Sequence, residues 1–202
     1  MAVKEIVRTW NNEKLIEKNI DFLKQRTKKV QFPLTDRSKQ IIEDLIDSYK
    51  ATPCAGIAAN QLGYDKSVFV GMKQDIEVED PEQNLDEVNP KEDNCEVYIN
   101  PQIDRVDKKS TQKGSEGCLS LPDLTLFLER YDKIKVRYYD MTGKVIKKPL
   151  KGFISRLFQH ELDHLEGSLM FETALGDVGV DKEQDKKQLD QLSKLMNYLQ
   201  KK

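Results

Sequence analysis

The chain has two histidines, and both lie in one five-residue stretch, His160-Glu161-Leu162-Asp163-His164. Positions four apart share a face of an α-helix, so this stretch can aim both imidazoles at one cation only if it is helical. Its neighbours agree. Phe153, Ile154, Leu157 and Phe158 lead in and Leu162 and Leu165 follow at helical spacing, while Gly167 is a natural stop, which predicts a helix from about Gly152 to Glu166. Glu161, beside the open position of such a cation, is placed to handle the proton of a water there.

A catalytic zinc-type centre usually takes three protein ligands and keeps one position for water, so a third ligand is needed. Glu183 is the downstream candidate, but Asp181-Lys182-Glu183-Gln184-Asp185-Lys186 reads as the solvated start of a helix. The upstream candidate is Cys118, in Glu116-Gly117-Cys118-Leu119-Ser120. A thiolate is a strong ligand for such metals, and the adjacent glycine suits close approach, so Cys118 is the favoured third ligand.

Three segments in order, Gly56-Ile57-Ala58-Ala59-Asn60-Gln61, Glu116-Gly117-Cys118-Leu119-Ser120 and Gln159-His160-Glu161-Leu162-Asp163-His164, resemble the three motifs of peptide deformylases. The resemblance takes in Tyr98-Ile99-Asn100-Pro101 and Glu116 to about Phe171, and is weaker from Met1 to Thr52. It implies a metal-dependent hydrolase that removes the N-formyl group from the formyl-methionyl end of nascent chains. Cys118, His160 and His164 would hold the metal, Glu161 would act as general base and acid, and the Gln61 side chain and Leu119 backbone N–H would receive the oxyanion. Gly56, with Cys54 and Ala55, would meet the substrate, and Glu116 and Arg130 would pair to steady the site. Fe2+ is the expected working metal, with Zn2+, Ni2+ or Co2+ able to take its place in a purified sample.

Departures from the family pattern fall in the first motif and in the N-terminal third. Cys54-Ala55-Gly56 stands where the family has Gly-hydrophobic-Gly, and the resemblance places Ala55 on the wall of the methionine pocket, which it should enlarge. Cys54 reads as a small hydrophobe. Thr9-Trp10-Asn11-Asn12 replaces the family's early proline-leucine pattern, whereas Asn60 falls where variation is tolerated. Asp163 should point off the metal face and bond to the helix surroundings. Two rival functions are a zinc peptidase ligated by Glu183 and a non-catalytic deformylase-like binding protein; retention of both Glu161 and Gln61 argues against the second.

The 202 residues suit a single catalytic domain spanning 1–202, and 33 basic against 35 acidic residues leave a formal charge of −2, with no specific nucleic-acid site visible. Five C-terminal lysines, Lys186, Lys187, Lys194, Lys201 and Lys202, read as a solvated helix face, with a ribosome contact as the alternative. No apolar run approaches the roughly 20 residues of a spanning helix, and Met1 to Ile6 lacks the apolar core of a secretory signal. Three cysteines give no disulfide framework, so a cytoplasmic setting is expected.

Coarse periodicity predicts helices at Asn12–Lys29 and Asp36–Lys50, then strands at Ser67–Gly71, Glu96–Asn100, Lys133–Tyr139 and, after a turn at Asp140–Gly143, Lys144–Lys148. A last amphipathic helix runs from about Glu183 to Gln200. Nine acidic residues between Lys73 and Asn94 read as a loop. The expected class is α+β: small antiparallel sheets packed around a central helix carrying the histidine motif, with a C-terminal helix.

Overall fold

The computed structural model describes residues 3–12, 14–76, 91–180 and 186–202. A short hairpin, Trp10–Asn11 (β1) and Lys14–Leu15 (β2), precedes helices Glu17–Leu23 (α1) and Asp36–Ala51 (α2). Strand Gly56–Ala58 (β3) runs into a 3-10 turn, Ala59–Leu62, and is followed by strands Val68–Gly71 (β4), Glu96–Val106 (β5), Thr111–Cys118 (β6) and Leu121–Tyr131 (β7). Strands Ile134–Tyr139 (β8) and Val145–Leu150 (β9) lead to helix Gly152–Glu166 (α3), then strand Gly179–Val180 (β10) and helix Lys186–Gln200 (α4). The class is α+β, as expected.

One sheet has the order β3-β4-β5-β8-β9 and a second the order β10-β7-β6, with every pairing antiparallel. β3 and β6 are therefore edge strands. Side chains alternate across a strand, and in β3 and β4 this splits the core in two. Ile57, Val68 and Val70 pack with Ile41, Ile42, Leu45 and Tyr49 of α2, while Ala58 and Phe69 pack with Leu157 and Phe158 of α3. Phe69, Tyr98, Tyr138 and Phe158 form an aromatic cluster with centroids 4.4–5.7 Å apart, which seats α3 on the sheet. A third core, with Trp10, Ile20, Leu124, Leu126, Leu128 and Leu195, ties the three-stranded sheet to both chain ends.

The motif helix has the predicted bounds. Its first amides are met by Asp132, which accepts from Gly152 N at 3.1 Å, and Asp75, which accepts from Phe153 N at 3.3 Å. It ends at Gly167, whose φ of +76° and whose approach to the Lys24 carbonyl leave no room for a Cβ.

The predicted helix over Asn12–Lys29 is a correction: only Glu17–Leu23 is helical. Asn12 takes φ +53°, which turns the chain into the β1–β2 hairpin instead, and Trp10 is buried in the third core. The hairpin β6–β7 and strand β3 were not predicted as strands. The start of the last predicted helix, including Glu183, and residues 77–90 of the acidic segment lie outside the described residues. Among the described residues no helix is long and apolar enough to cross a membrane.

Candidate metal centre and its cleft

Two elements bring the three candidate ligands together. Helix α3 carries His160 and His164 on its inner face, both buried. The β6–β7 register shifts between Gly117 and Cys118, and such an irregularity re-aims the side chain that follows it. Cys118 Sγ thereby lies 3.2 Å from His164 Nε2, and the donor atoms of Cys118, His160 and His164 all fall within 4.8 Å of one another.

The electrostatics of this trio suit a cation. Burial pushes the Cys118 thiol up, but the two imidazoles overcome it and hold the thiol at about 5. Burial favours the neutral ring of His160, yet Cys118 and Glu116 raise its pKa well above the ordinary value. The buried Nδ1 of His164 and Oε2 of Glu161 have no hydrogen-bond partner among the described residues. A thiolate and two imidazoles, with a buried carboxylate beside them, make a donor set that fits a divalent transition metal.

Around the trio, one carboxylate collects three bases. Glu116 takes a forked pair of bonds from Arg130 at 3.0 Å each, one from Arg156 at 2.6 Å, and lies 2.9 Å from His160 Nδ1. Burial pushes Glu116 up, but His160 and Arg130 hold it well below the usual carboxylate range. Its contact at Nδ1 leaves Nε2 as the His160 atom that could serve a metal. Arg130 also donates to Asp163 at 2.6 Å, and Asp163 accepts from Thr173 at 2.5 Å, so Asp163 turns away from the trio as expected.

The remaining motif residues converge on the same cavity, of about 650 Å³. Gln61 accepts from the Ala58 N–H at 2.9 Å, which turns its NH2 toward Cys118 Sγ at 3.7 Å and Ser120 Oγ at 3.3 Å. Leu119, Cys54, Ala55 and Gly56 line the cavity, together with Phe153 and Leu157. Glu161 is 3% exposed, and burial, partly countered by the imidazoles, pushes its carboxyl up to about 7. Gly56 faces α3 so closely that a Cβ there would stand 2.7 Å from Glu161 Oε1. The cleft therefore runs between two sheet edges, β3 at Gly56 and β6 at Ser115 to Gly117.

Sequence reasoning missed several contributors. Arg156 shares Glu116, and its place on the inner face of α3, four residues before His160, was the available signal. Asn60, read as tolerant of change, donates to the His164 carbonyl at 2.6 Å. Ser120 meets Gln61, and Thr9 from the divergent N-terminal third donates to the Ser120 carbonyl at 2.8 Å through its hydroxyl.

The pattern of one family, described as polypeptide deformylase, matches residues 13–177. The chain is 37% identical over 150 residues to a peptide deformylase of Aquifex aeolicus, spanning 73% of this chain and 78% of that relative. To a peptide deformylase of Symbiobacterium thermophilum it is 31% identical over 157 residues, 77% of this chain and 63% of that relative. Among solved structures, the Met-Ala-Ser-bound class I type b peptide deformylase of Acinetobacter baumannii aligns with a TM-score of 0.67 at 26% identity, covering 85% of this chain and 98% of that one.

Proposed function

Since the chain belongs to the polypeptide deformylase family, we propose that it hydrolyses the N-terminal formamide of formyl-methionyl peptides from nascent chains. The observation that carries this reading is the meeting of the Cys118, His160 and His164 donors with Glu161 and Gln61 in one cleft between two edge strands. An extended peptide end fits there as an added strand, and Cys54, Ala55, Phe153 and Leu157 supply apolar wall for its first side chain.

Cys118, His160 and His164 would hold a divalent cation, which would supply the Lewis acidity that makes water a nucleophile near neutral pH; Fe2+ is the metal we assign to turnover. Glu161 takes the proton of the attacking water as its oxygen bonds to the formyl carbon. The same carboxyl then gives the proton to the nitrogen as the C–N bond breaks, releasing formate and a free amine. The Gln61 NH2 and Leu119 N–H donate to the carbonyl oxygen while it carries negative charge. Glu116, braced by Arg130 and Arg156, holds the His160 ring in orientation.

Formate release from formyl-Met-Ala-Ser by anaerobically prepared Fe2+ protein, beside the Zn2+, Ni2+ and Co2+ forms, tests the reading. Cleavage of internal peptide bonds in unformylated peptides would favour the peptidase, and tight peptide binding without formate release would favour the binding protein.

Gln61→Leu should lower kcat by about 10²- to 10³-fold with unchanged metal content, the usual loss for one oxyanion donor. Steady-state rates and metal analysis on one preparation check it. Gly56→Ala should displace the Glu161 carboxylate, because the new Cβ cannot coexist with Oε1 at 2.7 Å. A displacement of about 1 Å can cost about 10²-fold in rate, so kcat should fall by that order while metal content stays level. Equal kcat for Gly56→Ala and the parent would contradict the assigned place of Glu161.

A further inference from the structure

The divergent N-terminal segment supplies a wall of the cleft. Val7 N donates to the Gln61 carbonyl at 2.7 Å, and Thr9 N donates to the Ser120 carbonyl at 2.9 Å, with the Thr9 hydroxyl on the same oxygen at 2.8 Å. Thr9 is buried, so the backbone on both sides of Arg8 is pinned to the two segments that carry Gln61 and Leu119. Arg8 itself is exposed and lies on the cavity wall. Its guanidinium has no hydrogen bond or ion pair among the described residues.

The other charges on that wall are differently placed. Glu116 and Arg156 are bonded to each other, while His160 and Glu161 are buried at the metal centre. Among the described residues, the Cys118 thiolate at the metal centre and Asp123, exposed on the rim, are the remaining ones. A cavity of about 650 Å³ is far larger than one methionine side chain, so it has room along its Arg8 wall for residues that follow the methionine.

We propose that Arg8 is a specificity-determining residue, selecting substrates that carry an acidic side chain in the positions following the formyl-methionine and disfavouring basic ones. The proposal rests on the deformylase reading above. The pinned backbone fixes the root of the Arg8 side chain beside the cleft, its planar guanidinium can fork onto a carboxylate, and the cation repels lysine at the same place. Because Asp123 shares the rim, the role of Arg8 is read in the change its substitution produces.

The test uses formyl-Met-Asp-Asp and formyl-Met-Lys-Lys, both as C-terminal amides so that no terminal carboxylate competes. The kcat/KM ratio, Asp-Asp over Lys-Lys, is measured at low ionic strength for the parent, Arg8→Ala and Arg8→Glu. It should fall about threefold in Arg8→Ala and about tenfold or more in Arg8→Glu, with both changes shrinking at high salt. Ratios that stay level, including a parallel fall on both peptides, would overturn the proposal. The Kd ratio of the deformylated peptides Met-Asp-Asp amide and Met-Lys-Lys amide, measured by calorimetry, should shift in the same direction, and no shift there would equally overturn it. This arm needs no turnover. A shifted Kd ratio with no formate released by any of the proteins would uphold Arg8 and remove the deformylase reading instead.

Discussion

Glu161→Gln should keep the fold and the metal while kcat on formyl-Met-Ala-Ser falls by about two to four orders of magnitude, the usual scale for a positioned acid-base group. The amide has nearly the shape of the carboxyl, so its position on α3 and its packing against Gly56 survive. It cannot take up a proton. Burial has raised the Glu161 carboxyl to about 7, near the pH at which a group exchanges protons most efficiently in both directions. The same shift fixes the sign of the stability effect. A carboxyl raised in the folded state destabilises the metal-free fold as pH climbs from the ordinary value of 4.5 through about 7, and Gln has no such charge. The metal-free variant should therefore have a Tm at pH 8 no lower than that of the parent, so lost activity would not be lost folding. Near-parent kcat in a variant with full metal content would remove Glu161 from the mechanism.

What the sequence made legible is what a short local pattern can encode. The bounds of α3 follow from helical spacing and a glycine stop, and Asp36–Ala51 follows from Ile41, Ile42, Leu45 and Tyr49 on one face. The Glu116–Arg130 pair was legible through resemblance, but the bonds from Arg156 and to His160 depend on how β6 lies against α3, which no window of sequence contains. β7 was missed although Leu124, Leu126 and Leu128 alternate inward, because Phe127 faces solvent and Arg130 is buried, reversing the usual polarity. The N-terminal helix failed for the opposite reason. Its apolar residues suit a helix, but Trp10 is buried in the third core and Thr9 bonds to Ser120, over one hundred residues away, so tertiary contacts override local preference.

Cys118→Ala should abolish tight metal binding, and with it detectable formate release. The thiolate is the one anionic donor of the trio, and the imidazoles that hold its pKa at about 5 keep it charged at neutral pH, so the proton that metal binding displaces comes from His160 rather than from the sulfur. Removing it leaves two imidazoles, held by α3, which can still converge but have lost the ligand that closes the site. Loss of a mere orienting bond around a metal costs about 10- to 100-fold in affinity, so loss of the thiolate itself should exceed that range. The fold should persist, because one sulfur at the rim of the cavity adds little to the third core that it touches. Circular dichroism and Tm separate this from unfolding, and Cys118→Ser, with a neutral hydroxyl of similar size, should fail to bind metal in the same way. The measurement also decides the ligand set. A peptidase ligated through Glu183 would hold its metal with unchanged stoichiometry and affinity in Cys118→Ala, and that result would replace the proposed coordination outright.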